Sequence, residues 1–409
     1  MNKQFVFEDT FTERTSSTSI VMEDNKIDKL VSGSESGKGT RIIKEKVIDY
    51  RFKSTEDENN FVSDASIEQK IALVEKANKA ARSVSPYIKQ VTVSYGDKTQ
   101  LINITNSNGL NVSDTRLRTR FIINVIAENN GILQTGYETA GGLVGFDLFK
   151  KENIEELAIR AAERAVRMLS ARHSPSGKMK IVIMSEAGGT LIHEACGHGL
   201  EADFIVKDTS VYCGKIGQKV ASDLITVIDD ATIPYAYGSY SIDDEGTPAQ
   251  KKILIENGIL KGFMSDIYNS NILEINSSGN GRRENFRLKP QPRMTNTYIE
   301  RGRTEPQDII DSISNGLLVK KLGGGQVNVT NGDFVFDIQE AYIIENGKTK
   351  ELVRGAMLIG NGPKILEDID MVGNDLHFIT GTCGKGDHAP VTDAMPTVRI
   401  PEIVVGGRE

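Results

Sequence analysis

The chain has 409 residues, with 49 basic against 56 acidic side chains and a formal net charge of −7. That length suffices for two or three domains of ordinary size, and the charge excludes the basic footprint expected of a nucleic-acid binder. Three cysteines, an odd number, make no disulfide framework and suit a reducing compartment. The opening Met1-Asn2-Lys3-Gln4-Phe5 lacks a signal-like apolar run, and no span of about 18 apolar residues occurs. The expectation is a cytoplasmic protein with no membrane segment.

Residues 5–55 alternate apolar and polar, as in Phe5-Val6-Phe7, Thr18-Ser19-Ile20-Val21-Met22 and Lys46-Val47-Ile48-Asp49-Tyr50-Arg51-Phe52, which predicts antiparallel strands. Ser66 with Gln69 forms a capping box for a helix carrying Ile67, Ile71, Val74, Ala77 and Ala81, closed by Pro86. Strands resume at Val91-Thr92-Val93, and Asn108-Gly109 and Asn130-Gly131 are tight-hairpin signals. A second amphipathic helix puts Ile154, Leu157, Ala158, Ala161, Ala162, Ala165 and Leu169 on one face. His173 beyond it reads as a solvated linker residue. From Lys178 the sequence turns glycine-rich and β-rich, with helix expected only over Pro306–Asn315 and after the buried strand Lys180-Ile181-Val182-Ile183-Met184. The fold class is therefore α+β. Residues 1–175 are expected to form an N-terminal scaffold or partner domain of antiparallel sheet plus helices. Residues 176–409 are expected to form a β-rich, largely antiparallel domain.

Chemistry concentrates in Leu191-Ile192-His193-Glu194-Ala195-Cys196-Gly197-His198, which follows a turn expected at Ala187-Gly188-Gly189. Two imidazoles and an adjacent carboxylate are the makings of a metal site with a general base. The spacing differs from His-Glu-x-x-His, whose histidines lie about 40° apart around a helix. Five residues swing the second imidazole about 140° away on an ideal α-helix. Both reach one metal only if the helix stops at the glycines flanking His198, or widens into a π-bulge. Cys196 lies on a different face and reads as a small buried residue, with a nucleophilic thiol as the alternative. Cys213 reads as structural and His377 as a satisfied core histidine. Far downstream Cys383 stands among glycines, with Lys385 placed to favour its thiolate. The run Gly323–Gly325 is too irregular for a phosphate loop and suits close approach of another backbone, as when an extended peptide joins a sheet edge.

Further blocks occur in a set order: Ser241-Ile242-Asp243-Asp244-Glu245-Gly246-Thr247-Pro248, Gly279-Asn280-Gly281-Arg282-Arg283-Glu284, Arg293-Met294-Thr295-Asn296-Thr297, Gly323-Gly324-Gly325-Gln326-Val327, Asn331-Gly332-Asp333-Phe334, Leu358-Ile359-Gly360-Asn361-Gly362 and Cys383-Gly384-Lys385. With the metal motif they resemble the TldD branch of the TldD/PmbA family of metallopeptidases, from about residue 15 onward. The resemblance implies zinc held by His193, His198 and Cys383, with Glu194 as catalytic base. It tilts Arg282 and Arg283 toward substrate binding or structural anchoring. Asp243, Asp244 and Glu245 then fall to a structural or supporting role. It also implies a dimer with a related, metal-less TldE-type chain that encloses the site and admits unfolded or flexible peptides, or else a self-dimer. Two departures stand out. The family opens with a helix where this chain starts in β-like sequence, and His388 stands where the family reads Gly-Gln before a Pro-Val. His388 reads as an exposed loop histidine.

The reading is a zinc-dependent peptidase acting on flexible peptides through Glu194. The alternatives are a non-catalytic scaffold or partner subunit and a thiol hydrolase using Cys196 or Cys383.

Overall fold

The computed structural model describes residues 6–55, 64–187 and 189–407; Phe5 of the expected opening strand and Gly188 of the expected turn lie outside them. Strands β1 (Val6–Glu23), β2 (Lys26–Lys44) and β3 (Val47–Ser54) precede helix α1 (Ile67–Arg82). After it come β4 (Ile88–Asn106), β5 (Asn111–Asn129), β6 (Ile132–Gly142) and helix α2 (Ile154–Met168). The six strands form one antiparallel sheet in the order β3-β2-β1-β4-β5-β6. Helix α1 begins with the expected box: Gln69 N–H donates to Ser66 Oγ at 3.3 Å, and Ser66 N–H donates to Gln69 Oε1 at 2.8 Å. Asn130 and Gly131 turn β5 into β6 with φ of 52° and 80°, the left-handed pair a two-residue hairpin needs.

A strand shows alternate residues to opposite faces, and here the buried set changes parity midway. In β1 the buried positions are Phe7, Asp9, Phe11, Glu13 and Thr15, then Thr18, Ile20 and Met22. In β4 they run Val91, Val93 and Tyr95, then Gln100, Ile102 and Ile104. One half of the sheet is therefore covered on one face by α1 and α2, which bury Ile20, Val93, Phe121 and Ile123 with Val74, Ala77, Leu157 and Ala161. The other half is covered on the opposite face by the C-terminal region, where Phe286 packs on Phe11, Ile102 and Ile104.

Downstream, strands Gly177–Ile183, Val398–Gly406, Met357–Asn361, Asp333–Glu345 and Asn315–Val327 pair successively, and the last returns to the first. The ring closes as a small barrel whose interior is filled by Ile181, Leu317, Phe334, Phe336, Leu358 and Ile400. Beside it lies a second sheet, ordered Ile259–Leu260, Lys251–Glu256, Val227–Asp230, Asn296–Ile299, His388–Met395 and His377–Gly384. Pairing is mostly antiparallel as expected. Three parallel pairs are additions: Gly177–Ile183 with Asn315–Val327, Asn296–Ile299 with His388–Met395, and Arg172–His173 with Lys348–Arg354. Each joins strands far apart in sequence, the condition that permits parallel pairing. Three short helices, Ala202–Val206, Ile267–Leu273 and Gly362–Asp368, also go beyond the expectation. At five to seven residues they are too short for periodicity to announce. His377 is a correction: it begins an edge strand and is exposed, not a core residue.

Buried charges join the N-terminal sheet to the C-terminal region. Arg41, fully buried, donates from Nε to Asp9 Oδ1 at 3.3 Å and places Nη1 2.6 Å from Glu245 Oε1. Arg116 reaches Asp114 at 3.0 Å, Asp244 at 2.6 Å and the Ile242 carbonyl at 2.5 Å. The run Asp243–Glu245 is thus no solvated acidic turn but a buried anchor.

Arg41→Met should destabilise the protein by about 3–5 kcal/mol, because buried Asp9 loses the cation it pairs with; denaturant unfolding measures it. Burial drives the Glu245 carboxyl up, and Asp266 and Asp243 add to the rise while Arg41 opposes it. A carboxyl raised in the folded state favours folding while protonated, and that contribution is lost as pH climbs through its raised pKa. The melting temperature of Glu245→Gln should therefore gain on that of the wild type as pH rises from the ordinary carboxylate range. A constant gap across pH would contradict this.

Candidate metal centre

Strand Gly177–Ile183 ends in a 3₁₀ turn, Ser185–Ala187, and one α-turn, Thr190–Ile192, leads into the motif. His193–Gly197 then winds as a π-turn, in which the His198 amide donates to the His193 carbonyl. Of the two local solutions open to a five-residue spacing, the chain takes the wider turn. The imidazole centroids come to 4.9 Å, with ring planes at 84°. Close packing sets the turn's position. A Cβ at Gly197 would lie 2.2 Å from Met294 Sδ, and one at Gly362 would lie 2.2 Å from the Ala195 carbonyl oxygen. Neither site has room for a side chain.

Cys383 arrives from the edge strand His377–Gly384. Its Sγ lies 3.1 Å from His193 Nε2 and 3.4 Å from His198 Nε2. The three side chains are buried, and their ligand atoms all fall within 4.8 Å of one another, a group that could hold a metal ion. Nitrogen and thiolate donors with this spacing fit zinc. Each imidazole is fixed from behind: His193 Nδ1 lies 2.9 Å from Asp393 Oδ1, and His198 Nδ1 lies 2.9 Å from Glu201 Oε2. A carboxylate at Nδ1 holds the proton there and leaves Nε2 as the donor to a metal.

The charges around the cluster follow from burial and contact. Burial opposes the Cys383 thiolate, but hydrogen bonds from His193 and His198, which carry a proton on Nε2 as well when no metal occupies it, outweigh burial and bring the thiol down to about 5. Lys385, expected to act on the thiolate, points elsewhere. Its Nζ sits 3.0 Å from Glu201 and 2.6 Å from Asp203. Burial would raise fully buried Glu201, yet Lys385 and His198 hold it down to about 2. Arg293 donates from Nη2 to the Cys383 carbonyl at 2.6 Å and pairs with Asp387, fixing the turn after the cysteine. Burial pushes the Glu194 carboxyl up, while His193 and His198 oppose the rise. Among the described residues no hydrogen bond ties the Glu194 side chain, so its carboxylate is available to a proton.

The remaining candidates do not join the cluster. Arg282 Nη1 donates to the Met294 carbonyl at 2.5 Å, and its guanidinium lies over Tyr240. Arg283 donates to the Asp244 carbonyl at 3.0 Å and lies 4.3 Å from the Phe11 ring centroid. Cys196 is buried, its Sγ 3.6 Å from the Ile192 carbonyl, and burial alone pushes its thiol up. His388 is exposed and lies 3.2 Å from Glu284. Sequence reasoning missed Asp393, Glu201 and Arg293. Glu201, three residues past His198, and Arg293, which opens one of the blocks above, left a signal; Asp393 left none.

The family models for PmbA/TldA metallopeptidases match in sequence order: domain 1 over residues 9–81, the central domain over 62–169 and the C-terminal domain over 176–407. The chain is 38% identical over 407 residues to a metalloprotease TldD homolog of Buchnera aphidicola, covering 97% of this chain and 83% of that one. It is 40% identical over 348 residues to a metalloprotease TldD homolog of Haemophilus influenzae, covering 83% and 72%. Among solved structures, TldE from Thermococcus kodakarensis shares the fold, with a TM-score of 0.81 at 22% identity over 98% of this chain and 97% of that one. Three consecutive domain matches and relatives of this identity place the chain in the PmbA/TldD family of metallopeptidases.

Proposed function

We propose that this chain is a zinc-dependent peptidase that hydrolyses unfolded or flexible peptides. The observation that carries the reading is the buried set of His193, His198 and Cys383, with both imidazoles oriented by carboxylates and Glu194 beside them. Bound there, zinc would supply an acidified water and a Lewis acid for the scissile carbonyl.

The chain's own residues supply the rest. Glu194, raised by burial toward the working range of a general base, takes the water's proton and returns it to the leaving amine. Asp393 and Glu201 keep the imidazole protons on Nδ1. Arg293 places positive charge beside the thiolate and holds the cysteine's backbone. A cleft of about 380 Å³ borders Thr380, Gly381 and Thr382 of the edge strand, and Gly323 and Gly324 line its other side. An extended chain can lie along such an edge by main-chain hydrogen bonds, which favours flexible substrates over folded ones.

Residues 1–175 act in this proposal as scaffold and partner surface, and 176–409 as the catalytic part. The partner is a TldE-type chain or a second copy; the fold shared with TldE supports the first. The free cysteines Cys196, Cys213 and Cys383 suit the cytoplasm, and among the described residues no helix is long and apolar enough to cross a membrane. A scaffold role is disfavoured by the intact donor set. One observation favours a thiol hydrolase: Cys383 sits in contact with two histidines. Chelation separates the two chemistries, since o-phenanthroline should abolish a zinc peptidase and spare a thiol enzyme.

Metal analysis should find near one zinc per chain, sharply reduced in Cys383→Ala; a metal-free wild type that takes up no added zinc would sink the proposal. Glu194→Ala should keep its zinc and lose about 10²–10⁴-fold in kcat, and equal loss of metal would refute its role as a non-ligating base. Asp393→Asn and Glu201→Gln should each weaken zinc affinity about 10–100-fold, read by competition with a chromogenic chelator.

A further inference from the structure

Strands β1, β4 and β5 meet the C-terminal region around a second cavity, of about 370 Å³, whose charge is unbalanced. Lys98, Arg116, Arg118, Arg120, Arg282 and Arg283 line it against the carboxylates of Asp97, Asp244 and Glu284. Asp97 and Asp244 are paired with cations, and Glu284 contacts a histidine. Asp97 lies 2.5 Å from Lys70, Asp244 2.6 Å from Arg116, and Glu284 3.2 Å from His388.

Four guanidiniums lie beyond ion-pair distance of any described carboxylate, although Asp244 acts on Arg118 and Arg282 from further away. Arg118 donates to the carbonyls of Tyr237 at 2.9 Å and Ser239 at 2.8 Å. Arg282 donates to the Met294 carbonyl, and Arg120 to Thr382 Oγ1 at 2.5 Å. Among the described residues Arg118, Arg120, Arg282 and Arg283 form no ion pair. Arg118 and Arg282 are only 8% and 4% exposed. Burial, then the neighbouring Arg116 and Arg282, bring Arg118 down to about 9. Burying like charges without partners is costly, and an entering anion would remove that cost.

We propose that this cavity receives a carboxylate of the peptide substrate, gripped by Arg118 and Arg282 with Arg120 at its mouth. The inference rests on the peptidase reading and specifies its substrate. Arginine forks match a carboxylate in shape and charge. Arg120 lines both this cavity and the cleft along the edge strand, and that cleft also includes Asp393, the partner of His193. A peptide in the cleft can therefore place a carboxylate in the arginine cavity while its backbone runs along Thr380, Gly381 and Thr382, the residues that lead into Cys383. The carboxylate is either the chain's C-terminus or an acidic side chain.

Three fluorescent peptides of one sequence test this: one with free C-terminus and acidic side chains, one amidated, and one with its Asp and Glu changed to Asn and Gln. Their affinities are measured by anisotropy on zinc-loaded Glu194→Ala protein, which binds without turnover, and cleavage is followed in parallel on the wild type. Amidation or side-chain neutralisation should weaken binding at least tenfold, and whichever does so names the source of the carboxylate. Arg118→Gln on the same background should bind charged and neutral peptides alike. Should that variant fail to fold, partly exposed Arg120→Gln should still narrow the difference. Equal binding of all three peptides, or binding of none, overturns the inference. Cleavage without charge preference leaves the peptidase reading standing alone, whereas charge-dependent binding without cleavage removes that reading and keeps the anion site.

Discussion

One backbone hydrogen bond, from the His198 amide to the His193 carbonyl, governs the metal centre. With α-helical winding the two imidazoles would diverge by about 140°, and no motion of Cys383 could bring all three donors together. A single π-turn is seldom favourable by itself, so packing must hold it. Met294 fills the space over Gly197, and the backbone at Gly362 lies against Ala195. Both supports come from segments far along the chain, one from the Arg293–Thr297 block and one from the Leu358–Gly362 block. Those blocks are thus explained by the centre they hold, although none of their side chains is a candidate ligand.

The same dependence on remote segments marks the buried charges. Arg41 and Arg116 sit on the N-terminal sheet, while Glu245 and Asp244 sit on the C-terminal loop they hold. An ion pair at such a junction adds little net stability over a well-packed apolar contact. It does fix register and orientation, because a misdocked sheet would strand several charges in a dry interface. The fold therefore gives up stability to place Arg120 against the edge strand that carries Cys383.

Much of this was legible in the sequence, and the limits have physical reasons. The α+β class, the capping box at Ser66, the apolar face of α2 and the tight turns at Asn108-Gly109 and Asn130-Gly131 all depend on local periodicity or turn chemistry, and all were readable. The change of parity within β1 and β4 was not, since alternation says which residues share a face but not what covers it. The five-residue histidine spacing announced a distorted turn without choosing between a break and a widening. Tertiary packing on Gly197 made that choice. Asp393, 200 residues from His193, had no local signal. Lys385 was read against its nearest sequence neighbour, Cys383, yet its charge goes to Glu201 and Asp203, which only the fold brings near.

The hairpin of His377–Gly384 and His388–Met395 ties the two sites together. Alternation sends Cys383, Ala389 and Asp393 to one face and Thr382, His388 and Pro390 to the other. The first face holds the thiolate and the carboxylate behind His193, and the second borders the arginine cavity. A slip of one residue would exchange the faces and destroy both sites. That register is held at the turn, where Asp387 accepts from Gln291 at 2.9 Å and pairs with Arg293, and Arg293 in turn grips the Cys383 carbonyl. Arg293 thereby links the geometry of the metal centre to the wall of the anion cavity: loosening it should disturb metal affinity and substrate charge preference together, although it contacts neither ligand.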